Sequence, residues 1–266
     1  LPCRSATVVP VLLGIAIAAR NGSFEWWLAL LTLVGASFAH LGTNVANDIF
    51  DTASGADAAN VNPTQFSGGS RVLLYDLLTP RQLVVLDVAL FAGAIAIGLF
   101  LVWFTGSLIL LVIGIIGIGL GIGYTAPPLK LVYRGIGEFA VAIGFGPVML
   151  LGAYVVQTRS LSWEPALASV PVAILVALVL YVNEIPDRSA DSATGKRTLP
   201  VRLAPRVVTA SYLLAALAAF VVIVLGVLGG LLPPATLLAL AVLPLVFRVH
   251  AGMRQHYTRP YALMSG

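Results

Sequence analysis

SVPVAILVALVLYVNEIPDRSAD, residues 169–191, runs from an uncharged apolar stretch straight into regularly spaced acids. With the residues before it, the apolar part covers about 164–182. That is close to the ~20 residues a helix needs to cross a bilayer. Beyond it, Asn183, Asp187 and Asp191 recur every four residues, so they share one helical face. The same word occurs earlier: Asn47-Asp48-Ile49-Phe50-Asp51 ends an apolar run over about 26–46 and is followed by Asp57. Asp48 and Glu184 point elsewhere on their helices and rank below the others. Both words predict membrane helices whose ends carry acids into a polar loop.

Composition agrees. The 266 residues are 59% hydrophobic and 10% charged, with a mean hydropathy of +0.99. Soluble domains carry about 25% charged residues, so a soluble fold is excluded. The runs are long and continuous, whereas a transmembrane barrel would show short alternating segments. Cys3 is the single cysteine, so there is no disulfide framework and no thiolate metal cluster. The net charge is +4, but the bases lie in separate short loops. A nucleic-acid partner is therefore not expected. The chain opens at Leu1-Pro2 and closes at Ser265-Gly266, and both ends read as trimmed.

Eight spans are expected, over roughly 6–19, 26–46, 82–104, 107–123, 137–157, 164–182, 207–230 and 234–249. Pro147, Pro171 and Pro244 predict kinks. This arrangement puts all but two of the 15 Lys and Arg residues on one side, leaving only Arg20 and Arg159 on the other. The positive-inside rule makes the charged side cytoplasmic. It carries three long polar loops, 47–81, 124–136 and 183–206. The fold class is thus all-α, a polytopic transmembrane bundle in a single domain, 1–266. The repeated word suggests two half-bundles, about 1–136 and 137–266, facing each other across a pseudo-twofold axis.

Carboxylate and amide oxygens at a membrane surface suit Mg²⁺, which keeps waters and accepts phosphate oxygens as further ligands. The expected metal set is Asn47, Asp51, Asp57, Asn183, Asp187 and Asp191. The bases beside these words suit a diphosphate: Lys130, Lys196 and Arg197, with Arg71 after the Phe66–Ser70 turn, whose glycines permit an anion nest. Arg81, Arg202, Arg206 and the tail arginines read as topology markers. Tyr124 reads either as a ring face for a substrate cation or as an interfacial aromatic. His40 either meets an aromatic substrate or hydrogen-bonds within the bundle. Gly114, Gly117, Gly119, Gly121 and Gly123 follow no strand and read as close helix packing rather than a nucleotide loop.

In combination these residues resemble the UbiA superfamily of intramembrane prenyltransferases. Asn183, Asp187 and Asp191 match its NxxxDxxxD motif. Asn47 to Asp57 instead resembles the NDxFDxxxGxD variant of the 1,4-dihydroxy-2-naphthoate polyprenyltransferase (menaquinone) branch. Phe66–Arg71, Tyr124–Lys130, Phe145-Gly146-Pro147, Tyr154–Thr158 and Gly195–Leu199 are similar to that branch as well. The resemblance implies nine spans, so a last one would lie beyond Gly266. It implies Mg²⁺-dependent transfer of a polyprenyl group from its diphosphate to an aromatic acceptor. Asp51, Asp187, Lys130 and Tyr124 would be catalytic. Asn47, Asn183, Lys130, Lys196, Arg197 and Arg71 would grip the diphosphate. The expected location is the inner (cytoplasmic) membrane, with the site on the cytoplasmic face. Other branches of the superfamily (ubiquinone, haem O, chlorophyll, archaeal ether lipids) are the alternatives. A secondary transporter is more distant, because its charges would lie near mid-span.

Overall fold

A computed structural model describes residues 4–60, 71–73 and 75–257. Its helices, in chain order, are α1 Arg4–Arg20, α2 Trp26–Ser54, α3 Ala56–Ala59, α4 Pro80–Thr105 and α5 Leu108–Gly123. A 3-10 turn, Leu131–Arg134, then leads into α6 Gly137–Ile143, a π-helical turn Gly144–Val148, and α7 Met149–Thr158. α8 Trp163–Ala193, α9 Leu199–Arg202 and α10 Pro205–Leu228 follow. A 3-10 segment, Pro234–Val242, joins α11, Leu243–His256. There are no strands among the described residues.

Among the described residues, six helical segments are long and apolar enough to cross a membrane. The other two expected spans form shorter apolar helices, α1 with 17 residues and α5 with 16. At 1.5 Å per residue both fall a little short of the ~30 Å hydrocarbon core. The π turn places Pro147 where its missing N–H is absorbed by the wider backbone spacing. Pro171 lies inside a continuous α8, and Pro244 opens α11 rather than bending it.

Local chemistry sets the ends. Thr79 and Gln82 close a capping box at the start of α4, and Ser107 caps α5. Gly55 and Gly106 end α2 and α4 in the left-handed conformation that glycine adopts without strain. Leu28, Leu101, Leu150 and Val155 belong to one buried apolar cluster that joins α2, α4 and α7. Leu178, Ile185, Val208, Phe220 and Met253 belong to a second, joining α8, α10 and α11. The π turn reaches α8 through Gly146, where an added Cβ would stand 2.4 Å from Ala173 Cβ. Trp26, Trp103 and Trp163 are exposed by 69%, 76% and 81%. All three lie at helix ends on the face opposite the acid words, as an interfacial aromatic belt would.

Candidate active site

α2 and α8 both continue beyond their apolar runs, so the acid words are helical and project their stripes toward each other. Between them opens a cavity of about 810 Å³. Its rim is polar: Asn47, Asp51, Asp57, Asn183, Asp187 and Asp191 all line it, and Lys196 joins them. Its depth is apolar, walled by residues of α4 and α5 such as Leu101, Val102, Ile113 and Ile118. The two words, far apart in sequence, thus face one volume.

Lys196 ties them together. Its Nζ donates to Asp51 Oδ2 at 2.6 Å and stands 4.0 Å from Asp191 Oδ1. The lysine is only 9% exposed. Burial alone would lower its pKa, but Asp51 and Asp191 overcome that and hold it above the ordinary lysine value. Asp51 is further held by Asn47 Nδ2 at 2.9 Å and by the Tyr133 hydroxyl at 3.1 Å. Asp57 accepts from Thr52 at 3.0 Å. Burial lifts the Asp57 carboxyl to about 6, with Asp51 and Asp48 adding to the rise and Thr52 and Lys196 opposing it. Negative charge is in surplus here. Asp187 accepts from Asn60 Nδ2 at 2.6 Å, and Arg71 donates to the Asn60 carbonyl.

Tyr124 lines the cavity at the end of α5. Lys130, Arg197 and Arg71 do not line it. Lys130 and Arg197 are exposed. Lys130 Nζ lies 5.4 Å from the centre of the Tyr133 ring, whose other neighbour is Lys196 at 5.8 Å. Arg197 faces a smaller cleft with Ser192, Gly195 and Arg202. The Phe66–Ser70 turn lies outside the described residues.

Several contributors went unread in the sequence. Tyr133 and Asn60 bind the acids from 82 and 127 residues away, and nothing local marks such partners. Glu184, ranked low from its helical phase, lines the cavity with both carboxylate oxygens buried and the Glu138 carboxyl beside it. Thr198 lines it too, 1% exposed, and among the described residues its hydroxyl has no hydrogen-bond partner. Glu138 accepts the Leu199 amide at 2.6 Å and so anchors the loop that carries Lys196. The GKRT stretch, Gly195–Thr198, was the one available signal for that loop.

The donor set fits Mg²⁺ by chemistry. It offers carboxylate and amide oxygens and no sulfur. Among the described residues no three His, Cys, Asp or Glu side chains stand close enough to hold an ion alone. Mg²⁺ takes one or two carboxylates and completes its shell with water and substrate phosphate. Within one cavity, then, the polar rim fits a metal-bound phosphate and the apolar depth fits a hydrocarbon.

The UbiA prenyltransferase family matches residues 7–264. The chain belongs to the UbiA prenyltransferase family. Its UbiA relatives include 2-carboxy-1,4-naphthoquinone phytyltransferase of Synechocystis sp., 28% identical over 97% of this chain and 82% of the relative. The 1,4-dihydroxy-2-naphthoate octaprenyltransferase of Mycobacterium tuberculosis is 34% identical over 74% of this chain and 65% of that enzyme. Its Bacillus subtilis counterpart is 29% identical over 74% of this chain and 61% of that enzyme. The chain thus spans a little under two thirds of these two octaprenyltransferases. A solved UbiA homolog from Aeropyrum pernix superposes with a TM-score of 0.68 at 18% identity, covering 97% of this chain and 95% of that one. A UbiA homolog from Archaeoglobus fulgidus, bound to DMAPP and Mg²⁺, superposes with a TM-score of 0.64 at 14% identity. Coverage there is 98% of this chain and 99% of that one. At these identities the likeness is one of fold, and it places this chain in a multi-pass membrane bundle.

Proposed function

We propose that this UbiA-family chain transfers a polyprenyl group from its diphosphate to an aromatic acceptor, 1,4-dihydroxy-2-naphthoate, in menaquinone biosynthesis. The carrying observation is the single cavity that joins the two acid words and Lys196 at its rim to an apolar depth. A prenyl diphosphate has the same two-part chemistry. The naphthoate relatives support the choice of acceptor.

Asn47, Asp51, Asp57, Asn183, Asp187 and Asp191 would hold Mg²⁺, which when bound would supply positive charge against the departing diphosphate. Lys196 adds a fixed ammonium to the same oxygens, and its burial makes that charge more effective than it is in water. Lys130, Arg197 and Arg71 contribute from outside the cavity, as long-range positive charge at the rim. The apolar walls exclude water from the allylic cation, and the Tyr124 ring offers it a π-face. The acceptor carbon attacks there once the allylic C–O bond to diphosphate has broken, and the ring regains aromaticity by releasing what that carbon carried, a proton or the carboxyl group as carbon dioxide. The prenyl tail lies in the apolar depth. The two half-bundles, about 1–136 and 137–266, each bring one acid word. The charge asymmetry of the loops supports the cytoplasmic face of the inner membrane for this site.

The test is release of pyrophosphate and formation of a prenylated product from purified protein, Mg²⁺, a polyprenyl diphosphate and a panel of acceptors. Dihydroxynaphthoate is expected to react fastest. A faster reaction with 4-hydroxybenzoate or with a glycerol phosphate ether would move the chain to another branch. No product with any acceptor would overturn the assignment.

A further inference from the structure

The α2 face that carries Asn47 and Asp51 does not end at the rim. Continued inward, the same stripe places Asn44 and then His40, so positions 40, 44, 47 and 51 follow one helical face. All four line the cavity. His40 is seven residues inward of Asn47, about 10 Å deeper at 1.5 Å per residue. It therefore lies within the hydrocarbon zone, where a polar side chain marks function unless packing alone explains it.

The imidazole is held from two sides. Its Nδ1 is bonded to Thr7 Oγ1 of α1 at 2.6 Å. Phe145, in the π turn, meets the ring edge-on with centroids 4.8 Å apart. Among the described residues the ring's one hydrogen bond uses Nδ1, which leaves Nε2 for a ligand. Asn44 is exposed to the cavity one turn nearer the rim. A prenyl chain has no hydrogen-bonding atoms, and burying an amide and an imidazole against it would cost free energy. A second ligand, flat and bearing hydroxyl or carboxylate groups, uses both.

We propose that His40 and Asn44 form the acceptor subsite, hydrogen-bonding the ring substituents of a hydroxylated aromatic and setting which ring carbon faces the prenyl group. Thr7 and Phe145 aim the imidazole. Glu184 and Thr198 face the same volume with buried side-chain oxygens and offer further acceptor and donor atoms. The inference rests on the prenyl-transfer reading, and it adds residues outside the metal and diphosphate sets.

The experiment is steady-state kinetics on the full chain in lipid nanodiscs, with dihydroxynaphthoate and prenyl diphosphate varied separately. His40→Phe and Asn44→Leu are expected to raise the acceptor KM about tenfold, the loss of one hydrogen bond. The KM for prenyl diphosphate is expected to stay within about twofold of wild type. His40→Gln, which keeps a hydrogen-bonding side chain, should recover part of the loss. Thr7→Val separates aim from packing: it leaves the imidazole present but unaimed, and a smaller rise in acceptor KM is expected. Acceptor binding without prenyl diphosphate, followed by quenching of naphthol fluorescence, reads the subsite with no turnover. If His40→Phe does not fold, Asn44→Leu decides alone, since its side chain projects into open cavity. An unchanged acceptor KM in the folded variants, or equal shifts in both KM values, overturns the subsite. Wild-type protein that transfers no prenyl group at all overturns the parent reading instead.

Discussion

Asp51 and Asp187 hold matching places in the two words but differ in their surroundings. Asp51 is 4% exposed and carries a buried lysine at 2.6 Å. Asp51→Ala leaves that buried ammonium only the longer 4.0 Å contact with Asp191, and breaking a buried pair costs up to about 3–5 kcal/mol. Asp187 is half-buried and accepts from Asn60, and losing that bond in Asp187→Ala costs about 1 kcal/mol. Both variants are expected to lose prenyl transfer by about a hundredfold or more. Only Asp51→Ala should melt markedly earlier in a detergent thermal scan. Full activity in both would sink the metal assignment. Tyr133→Phe removes the hydroxyl that bonds Asp51 at 3.1 Å and Ser54 at 2.9 Å. It is expected to slow transfer about tenfold with little change in stability. The acids, the amides and Lys196 were readable because each sits in a local word. Tyr133 was not, because its role exists only when the loop after α5 folds over α2.

Helix packing gives a contrast at the level of elements. Gly146 of the π turn faces Ala173 Cβ and the Ser169 carbonyl of α8, and a Cβ there would sit 2.4 and 2.8 Å from them. Gly98 of α4 has nothing within 4 Å of the same position. Gly146→Leu is therefore expected to cost about 2 kcal/mol or more through overpacking. Gly98→Leu is expected to be neutral to stabilising, since glycine is a poor helix former. Thermal unfolding of both variants in one detergent is the check, and equal stability would remove the packing argument. The apolar runs located the helices to within a few residues over most of the chain. They ended too early at α2 and α8, which reach Ser54 and Ala193, because charge ends burial in lipid without ending a helix. They also missed the irregular start of the last span, where Pro234–Val242 winds as a 3-10 segment. Hydropathy does not distinguish a 3-10 turn from an α-helix.

For the whole molecule, the test is sidedness. With Cys3 replaced by serine, Arg81→Cys and Ser160→Cys should react with an impermeant thiol reagent from opposite sides of the membrane, Arg81→Cys from the cytoplasm. Labelling of both from one side would overturn the topology. The opposite face has its own closure, an ion pair between Arg20 and Glu164, while the acid-word face is closed by Lys196 on Asp51. That second closure joins residues 145 positions apart, and nearly all of α4 to α8 lies in between. Ribosomes deliver the chain from its N-terminus at about 5–20 residues per second. The first acid word is therefore in place while its lysine is still unmade. For that interval Asp51 has no ammonium, and the half-built bundle leaves its carboxylate to water or headgroups. A chain stopped before Lys196 would insert its helices and never assemble a site, so catalytic competence arrives late in synthesis and all at once.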